Sequence, residues 1–164
     1  MHSLILGMTE SGKTSLAKQI IQAAKKRGIN TIVLDPLCDP SFDADFQTSD
    51  PLEFMYVWKN SRSCFCFIDE SGTVGKFSDT IRECATKGRH WGHSFFFLAQ
   101  KATQVEPLVR DMCSQLFLFR SGSQSRKILA EEYDAPQLID SIEMLEYHHC
   151  TRSEYKGRKK VVFR

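Results

Sequence analysis

The segment Gly7-Met8-Thr9-Glu10-Ser11-Gly12-Lys13-Thr14 satisfies the pattern GxxxxGK[ST], and Ser15 continues it. Each fixed residue type has a chemical reason. Glycine lets backbone N–H groups turn inward around phosphate oxygens, the lysine reaches the β- and γ-phosphates, and the final hydroxyl ligates Mg²⁺. A helix starting at the lysine adds the positive end of its dipole to the same anion. Gly7–Ser15 is therefore the candidate nucleotide-binding segment, with Lys13 as phosphate cation and Thr14 as metal ligand. The expected cofactors are ATP and Mg²⁺.

An acidic pair completes the chemistry. The apolar run Phe65-Cys66-Phe67-Ile68 ends in Asp69-Glu70. Asp69 is placed to hold Mg²⁺ through its water shell, because that ion keeps most of its waters and takes few carboxylates. Glu70 points elsewhere and can polarise an attacking water as general base, which argues for hydrolysis of ATP over simple binding, or else it is a polar residue opening a loop. A further apolar run, Phe95–Ala99, ends in Gln100. Gln100 would sit beside the γ-phosphate and report its loss, or else be an exposed strand-end glutamine. Before that run lies Gly88-Arg89. Arg89 would be a finger reaching a neighbouring subunit's nucleotide, with Arg110 as its substitute, or a solvated arginine at a helix end.

These residues need elements to carry them, and strand and helix signals alternate. Leu4–Leu6, Thr31–Leu34, Cys64–Ile68, Phe95–Ala99 and Leu116–Phe119 read as strands, short and continuous as in a sheet covered on both faces. Helices are expected from Lys13 to about Arg27, where Gly28 stops the stripe of Leu16, Ile20, Ala23 and Ala24. Further helices are expected at Leu52–Lys59, Asp79–Lys87, Glu106–Met112, Ser125–Tyr133 and Pro136–Ser141. Met144–Cys150 and Val161–Phe163, around Gly157, read as an antiparallel hairpin at the sheet edge. The fold class is α/β: a mostly parallel sheet with helices on both faces, with nucleotide at the carboxyl ends of the strands.

Bulk properties bound the rest. A length of 164 residues suits one domain over 1–164, and a net charge of +2 does not by itself announce a nucleic-acid partner. No apolar run reaches the length of a bilayer span, and the first strand is too short for a signal peptide. The six cysteines lack CxxC spacing and read as reduced thiols, with Cys64 and Cys66 filling core. His148-His149-Cys150 is taken as no metal site: adjacent strand residues point to opposite faces, so His149 cannot join His148 and Cys150 on one metal, and no further ligand pair has zinc spacing. Basic residues gather at Arg126 and Lys127, and again at Arg152, Lys156, Arg158, Lys159 and Lys160. Each stretch alone reads as a solvated turn; in a chain that moves DNA, Arg158, Lys159 and Lys160 would grip phosphates of any sequence, with Lys76, Lys101 or Arg126 as the alternative grip.

Gly7–Thr14, Asp35-Pro36 after the second strand, Phe67-Ile68-Asp69-Glu70, Gly88-Arg89 and Leu98-Ala99-Gln100 together resemble the FtsK/HerA superfamily of DNA-pumping ATPases. The resemblance is strongest to the small genome-packaging ATPases of tailless, membrane-containing viruses. It spans about the first 120 residues and keeps the family's order and spacing. It implies the RecA-like, additional-strand, catalytic-glutamate form of the P-loop fold. Lys13 and Thr14 would bind ATP-Mg²⁺, Asp69 the metal and Glu70 the water, with Gln100 as sensor and Arg89 as finger. It also implies a ring, most often a hexamer, that moves DNA through a central pore, with capsid vertex proteins as further partners. The expected location is the host cytoplasm and, in the virion, the packaging vertex. One departure stands out: where the family continues Asp-Pro with a basic residue or histidine, glycine and glutamate, this chain has Leu37-Cys38-Asp39. The rival classes are a small-molecule or nucleotide kinase, against which Glu70 and the lack of an arginine-rich lid argue, and a slow regulatory ATP switch.

Overall fold

The computed structural model describes residues 1–69 and 78–161. Glu70 and Lys76 lie outside them, as do the last residues of the expected second hairpin strand.

The strands are β1 (His2–Leu6), β2 (Thr31–Leu34), β3 (Phe46–Thr48), β4 (Phe65–Asp69), β5 (Ser94–Ala99), β6 (Cys113–Leu118), β7 (Glu146–Thr151) and β8 (Tyr155–Lys160). They form one sheet in the order β3-β2-β4-β5-β1-β6-β7-β8. Neighbours from β3 through β6 pair parallel, and the β6–β7 and β7–β8 pairs are antiparallel. The helices are α1 (Lys13–Lys26), α2 (Pro51–Lys59), α3 (Ser78–Lys87), α4 (Pro107–Met112) and α5 (Ser123–Glu132).

Side-chain alternation along the strands divides the core in two. Leu4, Leu6, Cys66, Ile68, Phe95 and Phe97 face one side and pack with Phe54 and Trp58 of α2, Cys84 of α3, Val109 of α4 and Leu129 of α5. Ile5, Val33, Phe67, Phe96 and Leu98 face the other and pack with Leu16, Ala17 and Ile21 of α1. Both faces are covered, as the continuous apolar runs predict. Cys64 and Cys66 are core, as expected.

Two buried histidines bind this framework through neutral rings. His93 Nδ1 accepts the backbone N–H of Cys64 at 3.0 Å, so its Nε2 is left to donate to Trp58 O at 2.7 Å. His2 Nδ1 accepts the N–H of Phe95 at 3.1 Å. Burial lowers the pKa of both rings, that of His2 to about 4.

The structure departs from the sequence expectation in three places. β3 lies between two turn signals that masked it, Asp39-Pro40 and Ser49-Asp50-Pro51. Its approach is fixed by Asp45, whose carboxylate accepts the N–H and hydroxyl of Thr31 at 2.8 and 3.0 Å. Pro136–Asp140 is a 3₁₀ turn in place of a short α-helix. Gly157 does not turn the hairpin. It lies inside β8 at φ +103, next to the register shift between His149 and Cys150, so it marks a bulge. The reversal comes earlier, where Thr151 donates its N–H to Glu154 O at 2.8 Å.

Candidate nucleotide site

The loop after β1 is shaped by backbone bonds from the elements around it. Gly7 donates to Ala99 O at 3.1 Å, Met8 to Arg120 O at 2.9 Å, and Ser11 to Met8 O at 3.2 Å. Leu145, just before β7, donates to Ser11 O at 3.0 Å. Both fixed glycines are sterically required. A Cβ on Gly7 would stand 2.6 Å from both Phe119 Cβ and Ser11 Oγ, and one on Gly12 would stand 2.8 Å from Phe119 Cε1 at φ +116. Gly12 caps α1, whose first residue is Lys13. Ser15 lies half-buried on the first turn of that helix.

Thr9, Glu10, Lys13 and Thr14 line one side of an open cleft, and Asp69, Leu98, Ala99 and Gln100 another. This places Asp69 at the end of β4 and Gln100 just past β5, both on one side of the loop that follows β1. Lys13 curls back over its own loop, donating to Gly7 O and, at 3.1 Å, to Met8 O. Burial lowers its pKa, and the Asp69 carboxylate partly restores it. The ammonium thus sits at the floor of the cleft, where phosphate oxygens would replace the two carbonyls. Thr14 and Asp69 offer the hard hydroxyl and carboxylate oxygens that suit Mg²⁺, which needs few protein ligands.

The third wall comes from the loop after β2. Asp35 is buried, and its carboxylate accepts the N–H groups of Leu37 at 2.9 Å and Asp39 at 2.7 Å. Cys38 stands where the resembling family places glycine and still adopts φ +52, the left-handed region glycine favours. Asp39 takes the acidic slot. It caps the following 3₁₀ turn through Ser41 and pairs with Lys18 of α1 at 3.3 Å.

The arginines divide sharply. Arg89 is exposed in the turn Gly88–Trp91, with Nη2 donating to Met112 Sδ at 3.8 Å. It lies at the amino end of β5, roughly 20 Å along the strand from Gln100. It cannot serve its own chain's cleft. Arg110, held in reserve as a finger, is corrected by the structure. It is buried, pairs with Glu132 at 2.9 Å, and donates to the carbonyls of Ala102 and Val105 at 2.8 and 2.7 Å. Arg152, counted with the DNA grip, is also structural. It donates to three carbonyls, of Cys113, Glu132 and Arg110, and lies 4.0 Å over the Tyr133 ring. Arg126 donates to Ser121 O at 3.0 Å and to Ile139 O.

His148 and His149 do point to opposite faces of β7. The ring of His148 meets Tyr155 OH at 2.9 Å, and that of His149 stacks on Phe117 at 4.5 Å.

Against known proteins, the family described as "Helicase HerA, central domain" matches residues 1–39. The genome packaging NTPase B204 from Sulfolobus turreted icosahedral virus 2, in complex with AMPPCP, superposes with a TM-score of 0.78 at 17% identity, covering 98% of this chain and 97% of that one. The DNA-packaging ATPase B204 from Sulfolobus turreted icosahedral virus gives 0.77 at 16% identity over 98% of both chains. The chain has the fold of an FtsK/HerA-type P-loop ATPase. The pCW3 conjugation coupling protein TcpA, with ATPgS, gives 0.74 at 12% identity, covering 97% of this chain and 59% of that one. No curated protein matches the sequence.

Within this ATPase fold, one positioning residue escaped the sequence reading. Gln104 Oε1 accepts the N–H groups of both Gln100 and Lys101 at 3.2 Å, fixing the backbone that presents Gln100. The same short turn is anchored to α5, where Ser125 Oγ accepts the N–H of Ala102 at 3.0 Å. A glutamine four residues after another carries no motif, so only the fold reveals the pairing.

Proposed function

We propose that this chain is one ATPase domain, over 1–164, of a ring that hydrolyses ATP to move DNA, of the kind that packages a viral genome. The observation that carries the reading is the meeting of Lys13, Thr14, Asp69 and Gln100 in one cleft at the carboxyl ends of β1, β4 and β5. It is supported by a fold shared end to end with viral packaging NTPases.

On this reading Lys13 and the N–H groups of Gly7–Thr14 hold the triphosphate, and Thr14 and Asp69 hold Mg²⁺. Bound there, Mg²⁺ would supply positive charge against that of the triphosphate. Glu70 follows the metal-binding carboxylate by one residue and accepts the proton of the attacking water. Gln100 contacts the γ-phosphate, and Gln104 ties its movement to the turn on α5. Arg89, remote from its own cleft and exposed, is delivered to the neighbouring subunit. DNA is gripped through phosphates, without sequence preference, by Arg158, Lys159 and Lys160. The ring is a hexamer that docks on capsid vertex proteins, formed in the host cytoplasm and carried at the packaging vertex.

The test is steady-state ATP turnover of the full chain with and without duplex DNA, no acceptor metabolite being present. Turnover that proceeds without acceptor and rises with DNA is expected. Turnover that requires a small-molecule acceptor would make the protein a kinase. Slow turnover indifferent to DNA would make it a regulatory switch.

A further inference from the structure

The polar half of the cleft lies on one side of the phosphate loop, where β4 and β5 bring Asp69 and Gln100. A nucleoside triphosphate with its γ end there must run its nucleoside end across the loop, toward β6 and the hairpin. What stands on that side is open and, apart from the exposed Glu143, apolar. Ile142, Met144 and Leu145 are 51%, 38% and 38% exposed, a cluster that a water-facing turn has no reason to carry.

This turn is built into the loop's own frame. Leu145 N–H donates to Ser11 O, and Leu145 O accepts the N–H of Val161 at 2.8 Å. At its other end Ser121 donates to Ser141 O at 3.2 Å, and Ser141 Oγ donates to the carbonyls of Leu118 and Phe119 at 3.0 and 2.9 Å. Leu145 is held at φ +60, a conformation that leucine adopts only when its surroundings impose it. Beside it, Arg120 follows β6, exposed, while its carbonyl accepts from Met8 of the loop. Among the described residues the Arg120 guanidinium makes no hydrogen bond or ion pair. Every other arginine at this end of the sheet that the structure describes is engaged: Arg126 with carbonyls, and Arg158 with Glu146 at 3.6 Å.

We propose that Ile142, Met144 and Leu145 form the seat of the nucleobase, with the guanidinium of Arg120 closing over it from β6. The proposal rests on the phosphate loop holding a nucleoside triphosphate. The apolar side chains cover one face of the base, and a planar cation suits the other. Such a seat reads the face of a base and leaves its edge to solvent.

The test compares Mg²⁺-ATP with Mg²⁺-tripolyphosphate, which shares the anion and lacks the nucleoside, by titration calorimetry on the full chain. The double variant Ile142→Ser/Leu145→Gly removes two exposed side chains, and glycine suits the positive φ, so the fold is retained. Wild type should bind ATP more tightly than tripolyphosphate. The double variant should lose about tenfold in ATP affinity, from the apolar area no longer covered, with tripolyphosphate affinity unchanged. Arg120→Ala should act in the same direction. Equal wild-type affinity for the two ligands would overturn the seat, as would variants that leave ATP affinity intact. A parallel loss of both affinities would also overturn it, by assigning the turn to holding the loop. Wild type that binds neither ligand would instead refute the nucleotide reading beneath it.

Discussion

At the scale of single residues, Lys13 has the largest predicted effect. Its ammonium is already partly stripped of water and leans on two loop carbonyls, with Asp69 near enough to raise its pKa. Lys13→Ala should therefore lose ATP binding by a factor on the order of a hundred or more, because an anion in that floor has no replacement cation. Glu70→Gln should behave differently: ATP stays bound, and turnover falls by roughly 10²–10⁴, since an amide cannot take the proton of water. Separate measurements of nucleotide affinity and turnover check both. Near-normal turnover in Glu70→Gln would remove that residue from the mechanism. His2 gives a prediction of another kind. Burial, then the terminal amine and Arg89, holds its pKa at about 4 against an ordinary 6.5. Above pH 6.5 the ring is neutral whether folded or not and has no effect. Between 6.5 and 4 the unfolded chain takes a proton that the folded chain refuses, so stability falls with pH, by roughly 3 kcal/mol in all. His93, also lowered, adds in the same direction. Urea midpoints at pH 7 and 4.5 should converge in His2→Asn, which keeps an acceptor for the N–H of Phe95. A variant as acid-sensitive as wild type would acquit the residue.

At the scale of elements, the Arg110 cluster is the clearest case of a role that sequence concealed. The guanidinium joins α4, the turn after β5 and α5, and its own carbonyl is met by Arg152 Nη2 at 2.6 Å. Arg110→Ala would strand the Glu132 carboxylate and two carbonyls. We expect a loss of roughly 3 kcal/mol in unfolding free energy, read from the urea midpoint. A finger lost from an interface would instead spare the midpoint and depress turnover. An arginine before a strand and an arginine inside a helix look alike in sequence. Burial separates them, and burial is a property of the packed whole. The same distinction runs through the rest of the chain. β1, β2, β4, β5 and α1 were legible because fully covered strands and an amphipathic helix print their periods directly. The phosphate loop was legible because its glycines answer to local sterics, as the clashes at Gly7 and Gly12 show. β3 was illegible, since three residues are too few to print a period and the ladder to β2 is what makes them a strand. The turn of the hairpin was misplaced because glycine serves bulges as well as reversals. Gln104 and Arg120 carry no motif at all: Gln104 gains its meaning from the N–H groups of Gln100 and Lys101 in its own turn, and Arg120 from the bond of its carbonyl to Met8 of the phosphate loop.

At the scale of the whole molecule, the separation of Arg89 from its own cleft has a consequence for assembly. If the finger acts in trans, each active site is made by two subunits in a heterologous interface that closes on itself. Mixing Arg89→Ala with Glu70→Gln subunits should then recover part of the activity that each lacks alone. A monomer by light scattering, turning over independently of concentration, would dismiss the ring. DNA binding should fall steeply with salt and show no sequence preference, as phosphate contacts release counterions. Replacing Arg158, Lys159 and Lys160 with glutamine should flatten the plot of log affinity against log salt. Because Arg158 already faces Glu146, the two lysines should account for most of the change.

The two edges of the sheet also govern how the protein behaves in a crowded solution. A sheet ends in unpaired N–H and C=O groups, an open template on which another chain can add a strand. Here one edge, β3, is only three residues long, and the other, β8, presents Lys156, Arg158, Lys159 and Lys160. Brevity guards one side and repulsion the other. Copies of this chain are thereby discouraged from zipping edge to edge into filaments, and must meet through side-chain surfaces. The cations that would hold a polyanion are then also the ones that keep the protein soluble without it.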